Sequence, residues 1–200
     1  MAWLFGWLVP RIRIEQVPIM ICLTVAGAVL AGMYGVLHDL VTFSISPEYF
    51  TKLKFDQFRY ADFGFGDQVF AGTIGFLASW WVGGLAAWFL ARRLVPQQPA
   101  GRAVRQVLQG FLCVFVLTLL CGGIAYFAGI ARGPNADYSN WAHMIQVLDI
   151  QDEWSFIRVA YIHSGSYMGG LLGLLSALII IRPESTSVAR SEKSTKVVQE

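Results

Sequence analysis

Val159-Ala160-Tyr161-Ile162-His163-Ser164-Gly165-Ser166-Tyr167-Met168-Gly169-Gly170-Leu171-Leu172-Gly173 runs on through Ala177 to Ile181 without one Asp, Glu, Lys or Arg. As a helix this run is long enough to cross a hydrocarbon core about 30 Å thick, which takes roughly 20 residues. Gly165, Gly169, Gly173 and Ala177 recur every four residues. One stripe of the helix is therefore almost bare, a glycine zipper along which a neighbouring backbone can come close. His163 lies beside that stripe and shares a helical face with Ser166, Tyr167 and Gly170, at offsets of three, four and seven.

Three further runs lack charge in the same way, so the spans read as 17–37, 69–90, 107–130 and 159–181. Composition agrees. The 200 residues are 56% hydrophobic and only 14% charged, and mean hydropathy is +0.54, which leaves too little charge to solvate a soluble domain of this size. The sequence thus predicts an all-α membrane protein, a four-helix transmembrane bundle over 17–182. Residues 1–16 read as an interfacial segment on the cytoplasmic side, with Trp3 and Trp7 among headgroups and Arg11 and Arg13 towards anionic lipid. Residues 183–200 carry no apolar period and read as a disordered cytoplasmic tail.

Orientation follows from the basic residues. With both termini in the cytoplasm, ten of the 15 Lys and Arg lie inside, the pattern expected of inner segments. Nine of the 13 carboxylates then lie outside. The first run exceeds the apolar core of a cleavable signal peptide, so span 1 is expected to be retained. The net charge of +2 and the absence of an aromatic-and-basic motif argue against a nucleic-acid partner. Cys22, Cys113 and Cys121 all fall inside apolar runs with neither metal nor disulfide spacing.

Between the spans, Val41, Phe43 and Ile45 alternate with polar residues and predict a short extended piece. Ser46-Pro47-Glu48 then reads as a helix start: a capping hydroxyl, a proline at the first helical position and an early carboxylate. Tyr49, Phe50, Leu53 and Phe58 would form the apolar side of that helix. A second outer helix is expected after Ser139 as its cap, with Trp141, Met144, Ile145 and Leu148 on one face. Both are read as amphipathic interfacial helices on the outer membrane surface. Within the bundle, Gly27, Ala31, Gly32 and Gly35 suit span 1 to close contact with span 4. The short connection around Pro96–Pro99 makes spans 2 and 3 antiparallel neighbours.

The stretch from His38-Asp39 through Thr42, Ser44 and Ser46-Pro47-Glu48-Tyr49-Phe50-Thr51-Lys52, together with Ile162-His163-Ser164-Gly165-Ser166-Tyr167-Met168-Gly169-Gly170, resembles an uncharacterised group of four-span bacterial membrane proteins. The two signatures cover about an eighth of the chain directly. The resemblance implies a bacterial inner-membrane location. It brings no activity and no catalytic residue with it.

All three histidines map to the outer side. His38, Asp39 and His163 supply three ligands for a divalent metal such as zinc if the outer ends of spans 1 and 4 meet. Haem held between His38 and His163 is the other cofactor to consider. The plain alternative is a pair of histidines satisfied by hydrogen bonds inside the bundle. Ser164 and Ser166 neighbour His163, but no nucleophile elbow or second base accompanies them, so no catalytic residue is assigned. None of the four charge-free runs holds a carboxylate, which disfavours ion-coupled transport. The reading from sequence is a structural or accessory protein with the bilayer and a membrane-protein partner or a second copy as its contacts. A metal- or haem-binding protein and a small oligomeric channel are the alternatives.

Overall fold

The computed structural model describes residues 12–183, which leaves most of the expected N-terminal interfacial segment and nearly all of the expected tail outside the described residues. Six helical elements follow one another, with no strand among the described residues. They are α1 (Val17–Ile45), the irregular helix α2 (47–57), α3 (Asp67–Leu94), α4 (Ala100–Arg132), α5 (Ala142–Leu148) and α6 (Glu153–Ile180). Helices α1, α3, α4 and α6 are long and apolar enough to cross a membrane. Their exposed residues are largely Leu, Val, Ile and Phe, such as Leu37, Leu112, Ile124 and Leu171, a surface suited to lipid rather than water.

The helices outrun the charge-free stretches. A charged side chain ends an apolar run without breaking a helix, whereas Ser46 and Pro47 do break one. Hence α1 continues through His38 and Asp39 to Ile45, and the extended piece expected over 41–45 is helical instead. Thr42 Oγ1 donates back to the His38 carbonyl at 3.0 Å, as hydroxyls do inside a helix. The helix start expected at Ser46 is present, for its hydroxyl accepts the Tyr49 N–H at 3.4 Å.

Small residues decide the pairing. Helices α1 and α3 pack antiparallel through facing glycines: a Cβ placed at Gly35 would lie 2.0 Å from the Gly75 oxygen, and one at Gly83 would lie 2.5 Å from the Gly27 oxygen. The zipper on α6 meets α4 in the same way, with Gly165 against Cys121 and Ala125, Gly169 against Leu117 and Thr118, and Gly173 against Val114. Span 1 therefore joins span 2, not span 4 as expected. A bare stripe specifies close approach, but both α1 and α6 found a complementary stripe in the span next to them in sequence, across one of the two long outer segments. Spans 2 and 3 do meet, where Leu90 covers Gly110 near the end of the bundle at which the described chain begins and finishes, the inner end in the expected orientation.

Two apolar clusters hold the pairs together. At the inner end, Met20, Leu90, Val107 and Ala177 bring one residue from each spanning helix into a buried cluster. At the outer end, Tyr49, Phe50, Tyr138, Ile150, Phe156 and Val159 form the other. Both outer segments pack on that second cluster: Tyr49 and Phe50 belong to it, and Trp141, Ile145 and Leu148 of the second segment lie against it. Its expected cap moves too, since Asp137 Oδ1 accepts the Ser139 N–H at 2.8 Å and Ser139 itself starts a 3-10 turn. The two outer segments are clasped by Glu48, whose carboxylate accepts the backbone N–H of Gln151 at 3.1 Å and of Asp152 at 2.9 Å. Lys52 adds an ion pair to Asp149 at 3.4 Å.

Candidate metal centre

The outer cluster roofs a polar one. The helical rise of about 1.5 Å per residue puts His38 about 10 Å before the end of α1 and His163 about 15 Å along α6 from Glu153. Helices α1 and α6 thereby present their histidines to each other at one level, below the segment α2. The imidazoles meet edge to face with ring centroids 4.7 Å apart. Asp39, 4% exposed, stands beside both: its Oδ1 is 3.0 Å from His38 Nδ1 and 3.8 Å from His163 Nε2.

Helical spacing brings the surrounding groups. Thr42, one turn beyond His38 on α1, has its Oγ1 3.3 Å from His163 Nε2. Ser166, three residues beyond His163 on α6, has its Oγ 3.3 Å from His38 Nε2. These distances fit neutral imidazoles with assigned tautomers: His38 Nδ1–H donates to Asp39 while its Nε2 accepts from Ser166, and His163 Nε2–H donates to Thr42. Tyr34 lies a turn before His38, with its ring 5.6 Å from that imidazole, and its buried hydroxyl has no hydrogen-bond partner.

The roof is aromatic. Tyr49 stacks on His163 at 5.0 Å and 25°, and Phe50 and Tyr167 each lie 6.2 Å from the same ring. Burial pushes the Tyr49 phenol well above its ordinary range, and the nearby Tyr167 and Asp39 push it further the same way. Lys54 is the one cation of α2 turned to this side. Burial lowers its ammonium, and the Asp39 carboxylate raises it in part.

The residues singled out from sequence thus come together only in part. His38, Asp39 and His163 converge, with one donor atom from each all within 4.8 Å of one another. Their convergence does not come from pairing of spans 1 and 4 along a glycine seam, since those stripes face elsewhere. It comes from α1 continuing a full turn and more past the last apolar residue of its run. His143 is exposed and takes no part. The face shared by His163 and Ser166 is used as read. Thr42, Tyr34, Tyr49 and Lys54 were missed, although Tyr34 and Thr42 stand four residues either side of His38 and would have been found had the helix been carried to Ser46. The same continuation puts a buried carboxylate, Asp39, inside α1 just past the charge-free run.

No protein-family model, curated protein or solved structure matches the chain. Fold and composition alone define its class, an all-α protein that passes the membrane several times.

Proposed function

We propose that this multi-pass protein binds a divalent transition-metal ion, zinc by the chemistry of its donors, through His38, Asp39 and His163. The observation that carries the reading is the convergence of two imidazoles and one carboxylate within 4.8 Å across two helices far apart in sequence. Ligands about 2.0–2.1 Å from one tetrahedral ion stand about 3.3 Å from each other, so the 3.0 and 3.8 Å separations to Asp39 lie close to that spacing, and the three donors, all within 4.8 Å, would draw together around an ion. Two imidazoles and a carboxylate suit zinc and its neighbours in the first transition row better than magnesium or calcium, which prefer all-oxygen shells. Ser166, on His38 Nε2, is placed to hold that ring by the nitrogen the metal would not use, as outer partners of metal-bound histidines do, whereas Thr42 meets His163 at Nε2 and would give way to the ion. A haem between the histidines is the weaker reading, since rings in edge contact at 4.7 Å leave no gap for a macrocycle.

The sidedness of the centre rests on the basic residues and its membrane on the resemblance. Together they support a bacterial inner membrane, cytoplasmic termini and a centre facing outward. A docking or accessory role for the outer end has its own support in Tyr60, Phe63 and Phe65, all at least 69% exposed on the connection into α3. Purification in detergent followed by elemental analysis after zinc loading tests the main reading. One ion per chain, lost in His163→Ala and Asp39→Asn, is the expected result. A wild-type protein that holds no zinc, or variants that hold as much, would refute it.

A further inference from the structure

Lys54 belongs to the five-residue π-helical stretch Phe50–Lys54 inside α2, a widened turn of a kind found mostly at functional sites. The turn buries Phe50 and brings Lys54 Nζ over the Tyr49 ring, 5.9 Å from its centroid. The same Tyr49 ring stacks on His163. The ammonium and the candidate ligand thus share one aromatic neighbour.

Among the described residues Lys54 makes no ion pair. The carboxylates of its own segment are committed elsewhere: Glu48 to the backbone of Gln151 and Asp152 and to Lys52, Asp56 to Arg59. Asp39 is held by His38. With a divalent ion bound, the region would contain one carboxylate against a dication and an ammonium. Two positive charges would stay uncompensated between a buried centre and a half-buried ammonium on its roof, where unpaired charge is costly. Without a further anion Lys54 would work against the ion.

The three donors leave one position of a tetrahedral ion free. We infer that this position takes a small oxyanion, a carboxylate or phosphate group, with the Lys54 ammonium as the anion's second contact. The inference rests on the proposed metal centre and adds its ligand. Metal and anion then bind cooperatively, and by linkage each strengthens the other by the same factor. The anion belongs either to a soluble molecule or to the headgroup of a lipid.

Cobalt(II) titration of the full chain in detergent, read from the visible ligand-field bands, tests this. It is run alone, with methylphosphonate, and in mixed micelles with short-chain phosphatidic acid. Either anion should tighten cobalt binding to the wild type by at least about fivefold, the lower range of such couplings. A response to phosphatidic acid only would assign the anion to lipid, and a response to methylphosphonate would assign it to a soluble ligand. Lys54→Met should still bind cobalt, which shows that it folds, yet lose the response to both anions, and Lys54→Arg should keep it. Cobalt binding that ignores both anions, or a Lys54→Met protein that responds like the wild type, overturns the inference and leaves the centre standing. A wild type that binds no cobalt under any condition overturns the centre itself.

Discussion

Replacing Gly35 with alanine should unseat α1 from α3. The added Cβ would stand 2.0 Å from the Gly75 carbonyl oxygen, 2.5 Å from Ser79 Oγ and 2.7 Å from the Gly75 carbonyl carbon. Ser79 can rotate, but the Gly75 peptide cannot. Restoring an ordinary 3.4 Å contact to that oxygen requires the backbones to part by about 1.4 Å, the difference between 3.4 and 2.0. A gap of 0.5–1 Å already forfeits about a quarter to a half of each dispersion contact, and dispersion is much of what holds helices together in lipid. Forced overpacking costs about 1–3 kcal/mol where side chains can yield, so this backbone clash should cost about 3 kcal/mol or more. Gly123 is the matched control, since a Cβ there meets nothing within 4 Å. Its alanine variant should be neutral or up to about 1 kcal/mol more stable, from helix propensity. Unfolding by SDS in mixed micelles, followed by helix loss, measures both. Equal stabilities for the two variants would refute the assignment of this seam.

Five other outcomes are expected. Glu48→Ala removes charge-assisted hydrogen bonds to two backbone N–H groups and should cost about 1–2 kcal/mol, reduced from the buried value because the carboxylate is partly exposed; amide exchange at Gln151 and Asp152 should quicken first. Trp154→Phe gives up the indole N–H bond to the Gly129 carbonyl at 2.9 Å, which should lower stability by about 1 kcal/mol in the same SDS assay. On the alkaline side, the raised Tyr49 phenol keeps its proton in the folded chain after the unfolded chain has lost it. Its contribution is complete below pH 10.0 and declines above it, so Tyr49→Phe should flatten that limb. Lys54 acts with the opposite sign: its lowered ammonium gives a stability that rises with pH in a window below 10.5, which Lys54→Met should remove. Finally, with the proposed orientation, a cysteine at position 143 should react with an impermeant reagent added to intact cells while one at position 102 stays shielded; the reverse would invert the topology.

The bundle was legible because the bilayer imposes a length that the four uncharged runs report almost directly. Pairing was not. The glycines of 27–35 and 165–173 say that a backbone comes close, but a bare stripe has no side chain to distinguish one partner from another. The outer segments show the limit of periodicity in the same way: the apolar residues at 141, 145 and 148 and at 49, 50 and 53 announce a buried side, and only tertiary structure says which cluster of the bundle it packs against. The site was half legible. His38, Asp39 and His163 could be named from residue type and sidedness. The outer helix that covers them could not, because Tyr49 and Lys54 are brought together across a π-helical turn whose extra residue leaves no mark on composition or spacing.

X-ray absorption at the zinc edge of the loaded, full-length protein tests the centre most directly. It should give a shell of nitrogen and oxygen at about 2.0–2.1 Å with the multiple scattering of two imidazoles, and His163→Ala should retain no zinc to give an edge. A shell dominated by sulfur at about 2.3 Å, or a spectrum without imidazole scattering, would contradict a zinc site built from His38, Asp39 and His163.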